Sequence, residues 1–389
     1  MLTSLALIFL LGMLLGGLFS KLRLPGLLGM LITGIVLGPY ALNLLDDSVL
    51  NISSDLRQLA LIIILIRAGL SLDVNDLKKV GRPAILMCFV PACFEILGMI
   101  IIAPKLLNIS ILDAAIMGAV VGAVSPAVIV PKMIGLMENN YGTNKSIPQM
   151  ILTGASVDDV FVIVMFTAFT GLAQGKNISA VSFLQIPASI ISGLFVGILF
   201  GIVLSVFFRK LKIRDSVKII TLLSLSFLFV AAENAVPFPF SGLLAIMSMG
   251  AALYKKRENM ARRLSAKFSK LWVGAEIMLF VLVGATVDLN YAMSAGFAAV
   301  LVIFGVLLFR MAGVFCCMIK TNLTLKELLF CMIAYIPKAT VQAAIGSIPL
   351  TMGLPCGNIV LTVAVVAILI TAPLGAFGID ITYKQLLSR

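Results

Sequence analysis

Apolar runs long enough to cross a lipid bilayer as helices follow one another along the whole chain. That succession leaves few folds open. Hydrocarbon supplies no water to satisfy a backbone, so a crossing segment must be a helix or part of a closed barrel. A helix needs about 20 apolar residues and a barrel strand about ten. The runs here are of helix length and do not alternate. We read thirteen, at approximately 2–20, 25–43, 56–73, 82–103, 111–135, 147–173, 181–208, 216–232, 239–254, 271–288, 295–319, 326–351 and 355–378. Charged residues make up 12% of the 389, about half the usual share of a soluble domain. The longest basic loop, Tyr254 to Lys270, is too short to be a soluble domain. The expected fold class is an all-α polytopic membrane protein with thirteen transmembrane helices.

The net charge of +12 is then a topology signal rather than a nucleic-acid signal, and no nucleic acid is expected as a partner. Nearly all Lys and Arg fall in the loops after odd-numbered segments and in the C-terminal tail. The opposite loops hold only Arg57, Lys105 and Lys176. This places the N-terminus outside and the C-terminus in the cytoplasm. The first run lacks a basic stretch before it and is read as a crossing segment, not a cleaved leader. Six cysteines without a CxxC read as buried small hydrophobes. There is no histidine, so proton chemistry near neutral pH falls to carboxylates or a lysine. No phosphate-binding loop, metal-ligand cluster or nucleophile triad appears. An enzyme, an ATP-driven pump or a resident cofactor is not expected.

Two stretches repeat. GLLGMLITGIVL from Gly26 matches GLLAIMSMGAAL from Gly242, and Gly69, Asp73 and Asn75 match Gly284, Asp288 and Asn290 at nearly the same offset. The offset covers an odd number of segments, so the halves are inverted in the membrane, an architecture of many secondary transporters. Corresponding segments carry prolines: Pro126 and Pro131 in VVGAVSPAVIVPKM, and Pro337 and Pro349 in YIPKATVQAAIGSIP. Both are read as broken helices that cross, because proline removes a backbone donor and clashes with the preceding turn. Ser125 and Thr340 are counterparts across the repeat.

Asp158 and Asp159 stand together in an otherwise apolar segment, TGASVDDVFVIVMF. One such charge at mid-membrane costs roughly 3 kcal/mol. Neighbours on a helix point about 100° apart, so one aspartate is expected to face a cavity and the other a protein partner. Buried carboxylates side by side repel, which suits a seat held by a proton or a cation in turn. Sodium or lithium suits oxygen ligands, and Ser125, Thr153 and Ser156 are candidates to complete the set. Glu95 and Arg310 lie at the repeat offset and are expected to form a buried ion pair. Lys338, beside Pro337, is placed to balance the negative end of a half-helix. Arg67 reads as snorkelling at the membrane edge, and Glu276 as lining a water path or sitting at the headgroups. Gly12 and Gly16 form a GxxxG, a packing stripe or dimer contact.

With these residues in hand, the chain resembles the monovalent cation–proton antiporter superfamily, and within it the NHA-type sodium/proton antiporters. The resemblance covers essentially the whole chain. It rests on GASVDDV from Gly154, IPKATVQAAIG from Ile336, LPGLLGMLITGIVLGP from Leu24 and IRAGLSLD from Ile66. It implies an NhaA/NapA-like fold and an elevator-type exchanger. Residues 1–80 and 216–294 would form a scaffold and dimerisation domain. Residues 81–175 and 295–380 would form the moving ion-transport core, joined by a linker helix at 176–215. Asp159 matches the family's main cation-binding aspartate and Asp158 its companion. Arg310 stands where electrogenic relatives carry a lysine, whereas Glu95 is a feature of electroneutral ones. The acidic residue that some relatives place in the first broken helix is absent; Ser125 and Pro126 occupy that region.

The expected function is exchange of sodium or lithium for protons across the cytoplasmic membrane by a homodimer embedded in lipid. Potassium/proton exchange, a sodium-coupled solute symporter and a cation channel are the alternatives.

Overall fold

The computed structural model describes residues 1–22, 24–72, 81–175, 180–211, 213–236, 238 and 240–389. Side chains are described at all of these except 156, 180–187, 190, 234 and 289–295. Asp73 and Asn75 of the repeat therefore lie outside the described residues. Among those described, every regular element is helical. In chain order these are α1 (Leu2–Lys21), α2 (Gly26–Leu37), α3 (Asp47–Leu50), α4 (Ser53–Ser71), α5 (Arg82–Met87), α6 (Val90–Leu107), α7 (Ile111–Val121), α8 (Pro126–Glu138) and α9 (Ile147–Gln174). After them come α10 (Ala180–Lys210), α11 (Asp215–Ala235), α12 (Gly242–Lys256), α13 (Glu258–Ala285), α14 (Leu289–Met318), α15 (Leu325–Ala334), α16 (Thr340–Ile345), α17 (Ile348–Thr351) and α18 (Gly357–Leu386).

The protein is an all-helical, multi-pass membrane protein. By length and composition, nine stretches among the described residues can cross a bilayer. The segments expected at 25–43, 56–73, 239–254 and 326–351 are not among them, because their helices are shorter or, for α4, more charged. The basic stretch 254–270 is not the loop expected. It is helical from Glu258, with Ala261, Leu264 and Phe268 buried as one stripe. Its Ala, Arg, Lys and Leu are good helix formers, and a bilayer edge is not a helix stop. Arg57, counted above as a loop cation, is buried within α4, and its Nη1 donates to Thr286 Oγ1 at 3.3 Å. All six cysteines are free, and Cys93 is exposed rather than buried.

Packing divides the chain into two compact units, residues 1–57, 76–162 and 277–389 in one and 58–75 and 163–276 in the other. In the first, α6 lies against α14 at close range. A Cβ on Gly98 would come within 2.6 Å of the Phe309 ring, and one on Gly313 within 2.8 Å of the Pro91 backbone. This approach sets Glu95 opposite Arg310. Gly12 faces Ile277 and Gly16 faces Gly26, so that stripe is occupied within the chain. In the second unit, Gly193, Gly197 and Gly201 form a four-residue-spaced stripe on α10. It seats the Ser241, Ala245 and Met249 backbone, and the Ser248 hydroxyl, of α12.

Two helices are interrupted. The first stops at Val121 and resumes at Pro126; the second stops at Ala334 and resumes at Thr340. Proline biases the residue before it away from helical backbone. Pro126 holds Ser125 extended and then serves as the first helical residue, where its missing N–H costs nothing. Pro131 does not break α8, and Pro349 merely opens α17.

Candidate functional site

The two breaks meet. Ser125 N donates to Pro337 O at 2.8 Å, joining the extended segments directly. Gln342 bridges them again: its Nε2 donates to Val121 O and Ala123 O, and its Oε1 accepts from Ala339 N. Gln342 was missed in the sequence reading. Its signal was a lone amide in an apolar half-helix.

Arg310, 1% exposed, organises the space beside the breaks. Its Nη1 donates to Glu95 Oε2 at 2.6 Å and to Gly122 O, its Nη2 to Asp158 Oδ2 at 3.0 Å, and its Nε to Tyr335 O at 2.7 Å. Gly122 and Tyr335 are the residues that cap the C-terminal ends of α7 and α15. One guanidinium therefore faces the negative ends of both half-helices, satisfying carbonyls that the breaks orphan. The task expected of Lys338 thus falls to Arg310. Lys338 Nζ instead donates to Glu95 Oε2 at 2.5 Å. Only a planar fork reaches four acceptors at once; an ammonium is a point charge.

The two aspartates differ. Asp158 is fully buried, and its Oδ2 accepts from Arg310 and from Val124 N at 2.8 Å. Asp159 is only partly buried. Asp158 Oδ1, Asp159 Oδ1, Ser125 Oγ, Thr340 Oγ1 and Glu95 Oε1 are buried atoms with no protein hydrogen-bond partner. Buried polar atoms are nearly always paired. Carboxylate and hydroxyl oxygens of this kind suit a hard cation or a proton rather than a soft metal. No group of three His, Cys, Asp or Glu gathers as a metal centre among the described residues.

Thr153 stands elsewhere. Its hydroxyl donates to Gln149 O in its own helix, and it lines a cavity of about 780 Å³ together with Gln149, Leu152 and Lys145. Leu152 and Asp159 lie seven residues apart, within about 20° round α9, whereas Asp158 points about 100° further round. Asp159 itself is not among the residues that line this cavity. The side chain of Ser156 lies outside the described residues. In the second unit, Glu276 has Trp272 and Arg67 as polar neighbours.

A family profile described as "Sodium/hydrogen exchanger, transmembrane" matches residues 6–385. Human sodium/hydrogen exchanger 9B2 is 32% identical over 383 residues, covering 94% of this chain and 70% of that one. Human sodium/hydrogen exchanger 9B1 is 30% identical over 381 residues, covering 94% and 73%. Among solved structures, the sodium proton antiporter MjNhaP1 of Methanocaldococcus jannaschii superposes with a TM-score of 0.86 at 20% identity, over 100% of this chain and 99% of that one. The last likeness is one of fold.

Proposed function

The chain belongs to the transmembrane sodium/hydrogen exchanger family, and from that premise we propose that it exchanges sodium, or lithium, for protons at Asp159 and Asp158. The observation that carries this reading is the unpaired oxygens of both aspartates beside the paired helix breaks. A carboxylate oxygen with no protein partner is satisfied either by a proton or by a small cation, and not by both. Ser125 and Asp159 each sit one residue beyond the Val124–Asp158 hydrogen bond, and the Ser125 hydroxyl is the next ligand. Arg310 and Lys338 balance Glu95 and Asp158, which leaves the charge of Asp159 to be met by cargo.

The finer features belong to the same proposal. Thirteen segments cross the cytoplasmic membrane as an inverted repeat, with the N-terminus outside and the C-terminus in the cytoplasm. Residues 81–175 and 295–380 move as an elevator against a dimeric scaffold of 1–80 and 216–294, linked by 176–215. The one-sided distribution of Lys and Arg supports the orientation.

Asp159→Asn tests the assignment. In proteoliposomes it should abolish sodium-dependent proton flux while the purified protein stays monodisperse. Exchange retained at the wild-type rate refutes it.

A further inference from the structure

The cavity that reaches Thr153 contains a cation of its own. Lys145, in the turn before α9, lines it, and a positive wall is a poor entrance for sodium. Its charge is met by a neighbouring acid. Lys145 Nζ donates to Glu327 Oε2 at 2.7 Å and to Asn322 O at 2.8 Å. Glu327 is 4% exposed at its side chain, while Lys145 is 30% exposed.

We propose that Glu327 is a specificity-determining residue that neutralises Lys145 so that the cavity beside α9 admits monovalent cations and delivers them toward Asp159. This rests on the exchange reading above.

Glu327 is held for this task from a second direction. Its carboxylate also accepts from the Thr324 backbone N–H at 2.7 Å and from the Thr324 hydroxyl at 2.9 Å, the capping box that starts α15. The acid is thus fixed by a helix start, and the flexible lysine comes to it. Beyond the pair, Gln149 contributes a buried Oε1 with no protein partner, followed by Thr153 one turn further along α9. The cavity lining thus offers the uncharged polar groups of Gln149 and Thr153 beside a lysine whose charge is met by Glu327. Proximity of Lys145 to these groups makes its net charge decisive. An uncompensated unit charge about 10 Å from a sodium ion lowers its local concentration roughly two- to fifteen-fold, for an effective dielectric between about 80 and 20.

Glu327→Gln isolates the charge, because glutamine still completes a capping box. The full chain is reconstituted in proteoliposomes, and sodium-dependent proton flux is measured for E327Q, K145Q and the double variant. E327Q should raise the sodium KM within that two- to fifteen-fold range with kcat unchanged. The increase should shrink when choline chloride is raised to about 1 M, where the screening length falls to about 3 Å. K145Q should leave KM at or below the wild-type value, and the double variant should return it to near wild type. An unmoved KM in E327Q, a kcat effect without a KM effect, or a double variant as impaired as E327Q overturns the inference while exchange itself stands. No exchange in the wild type overturns the exchange reading, and this inference with it.

Discussion

Glu95, Arg310, Lys338 and Asp158 form a buried set of two acids and two bases linked at 2.5–3.0 Å. Their charges cancel, so removing one member leaves a net charge in the interior. Glu95→Gln leaves two cations against Asp158; Lys338→Gln leaves two acids against Arg310. Either single change should cost roughly 3–5 kcal/mol, the range for stranding one partner of a buried pair. The double variant E95Q/K338Q restores neutrality. It also spares Arg310, which keeps Asp158 and the two half-helix carbonyls. The double should therefore cost no more than about 2 kcal/mol, which implies a coupling of several kcal/mol between the two positions. E95Q/R310Q also restores neutrality but loses the bonds to Gly122 and Tyr335, each unsatisfied carbonyl adding about 1–3 kcal/mol. The order of stability should then be wild type, E95Q/K338Q, either single, with E95Q/R310Q no better than the singles. Thermal unfolding of the detergent-purified protein, followed by tryptophan fluorescence and by loss of the monodisperse peak, reads that order. Additivity of the two singles within about 0.5 kcal/mol refutes the reasoning, since it means the charges do not sense one another.

Two further outcomes follow from the unpaired oxygens. If proton and sodium compete for the same carboxylates, the sodium KM rises as pH falls, approaching about tenfold per pH unit once the site is mostly protonated, while kcat at saturating sodium holds; a flat KM with a falling kcat contradicts competition. Ser125→Ala removes a hydroxyl that has no bond to lose, so melting should shift by less than about 1 kcal/mol equivalent, yet the sodium KM should rise severalfold; equal KM values exclude Ser125 as a ligand.

Much of the site is written in local sequence. Asp158 and Asp159 are conspicuous because their neighbours are apolar, and their differing fates follow from the 100° step of a helix. Pro126 and Pro337 mark where the helices stop, since proline acts on its own neighbours. Two things are not local. Arg310 serves the ends of α7 and α15 only because the breaks turn two distant carbonyls toward it; nothing in LLFRMAG specifies those partners. Lys338 lies next to Pro337 in the chain, but its four-carbon stem carries the ammonium to Glu95. The Tyr254–Lys270 stretch misleads for a different reason. Hydropathy locates the bilayer, not the helix, and α13 runs on past the membrane edge on Ala261, Leu264 and Phe268. Gln342 looks like one polar residue among apolar ones until the two breaks are brought together.

The Ser125–Pro337 hydrogen bond has the look of the first rung of a sheet, but the rung has no successor. Pro337 lacks the N–H that would return the bond to Ser125, and Pro126 begins a helix where a strand would continue. The same imino acids that open the helices thus hold the backbone contact to a single rung, beside the Gln342 side-chain bridge. Parting such a junction breaks one backbone bond and one amide bridge rather than a ladder, while the half-helices on either side stay intact.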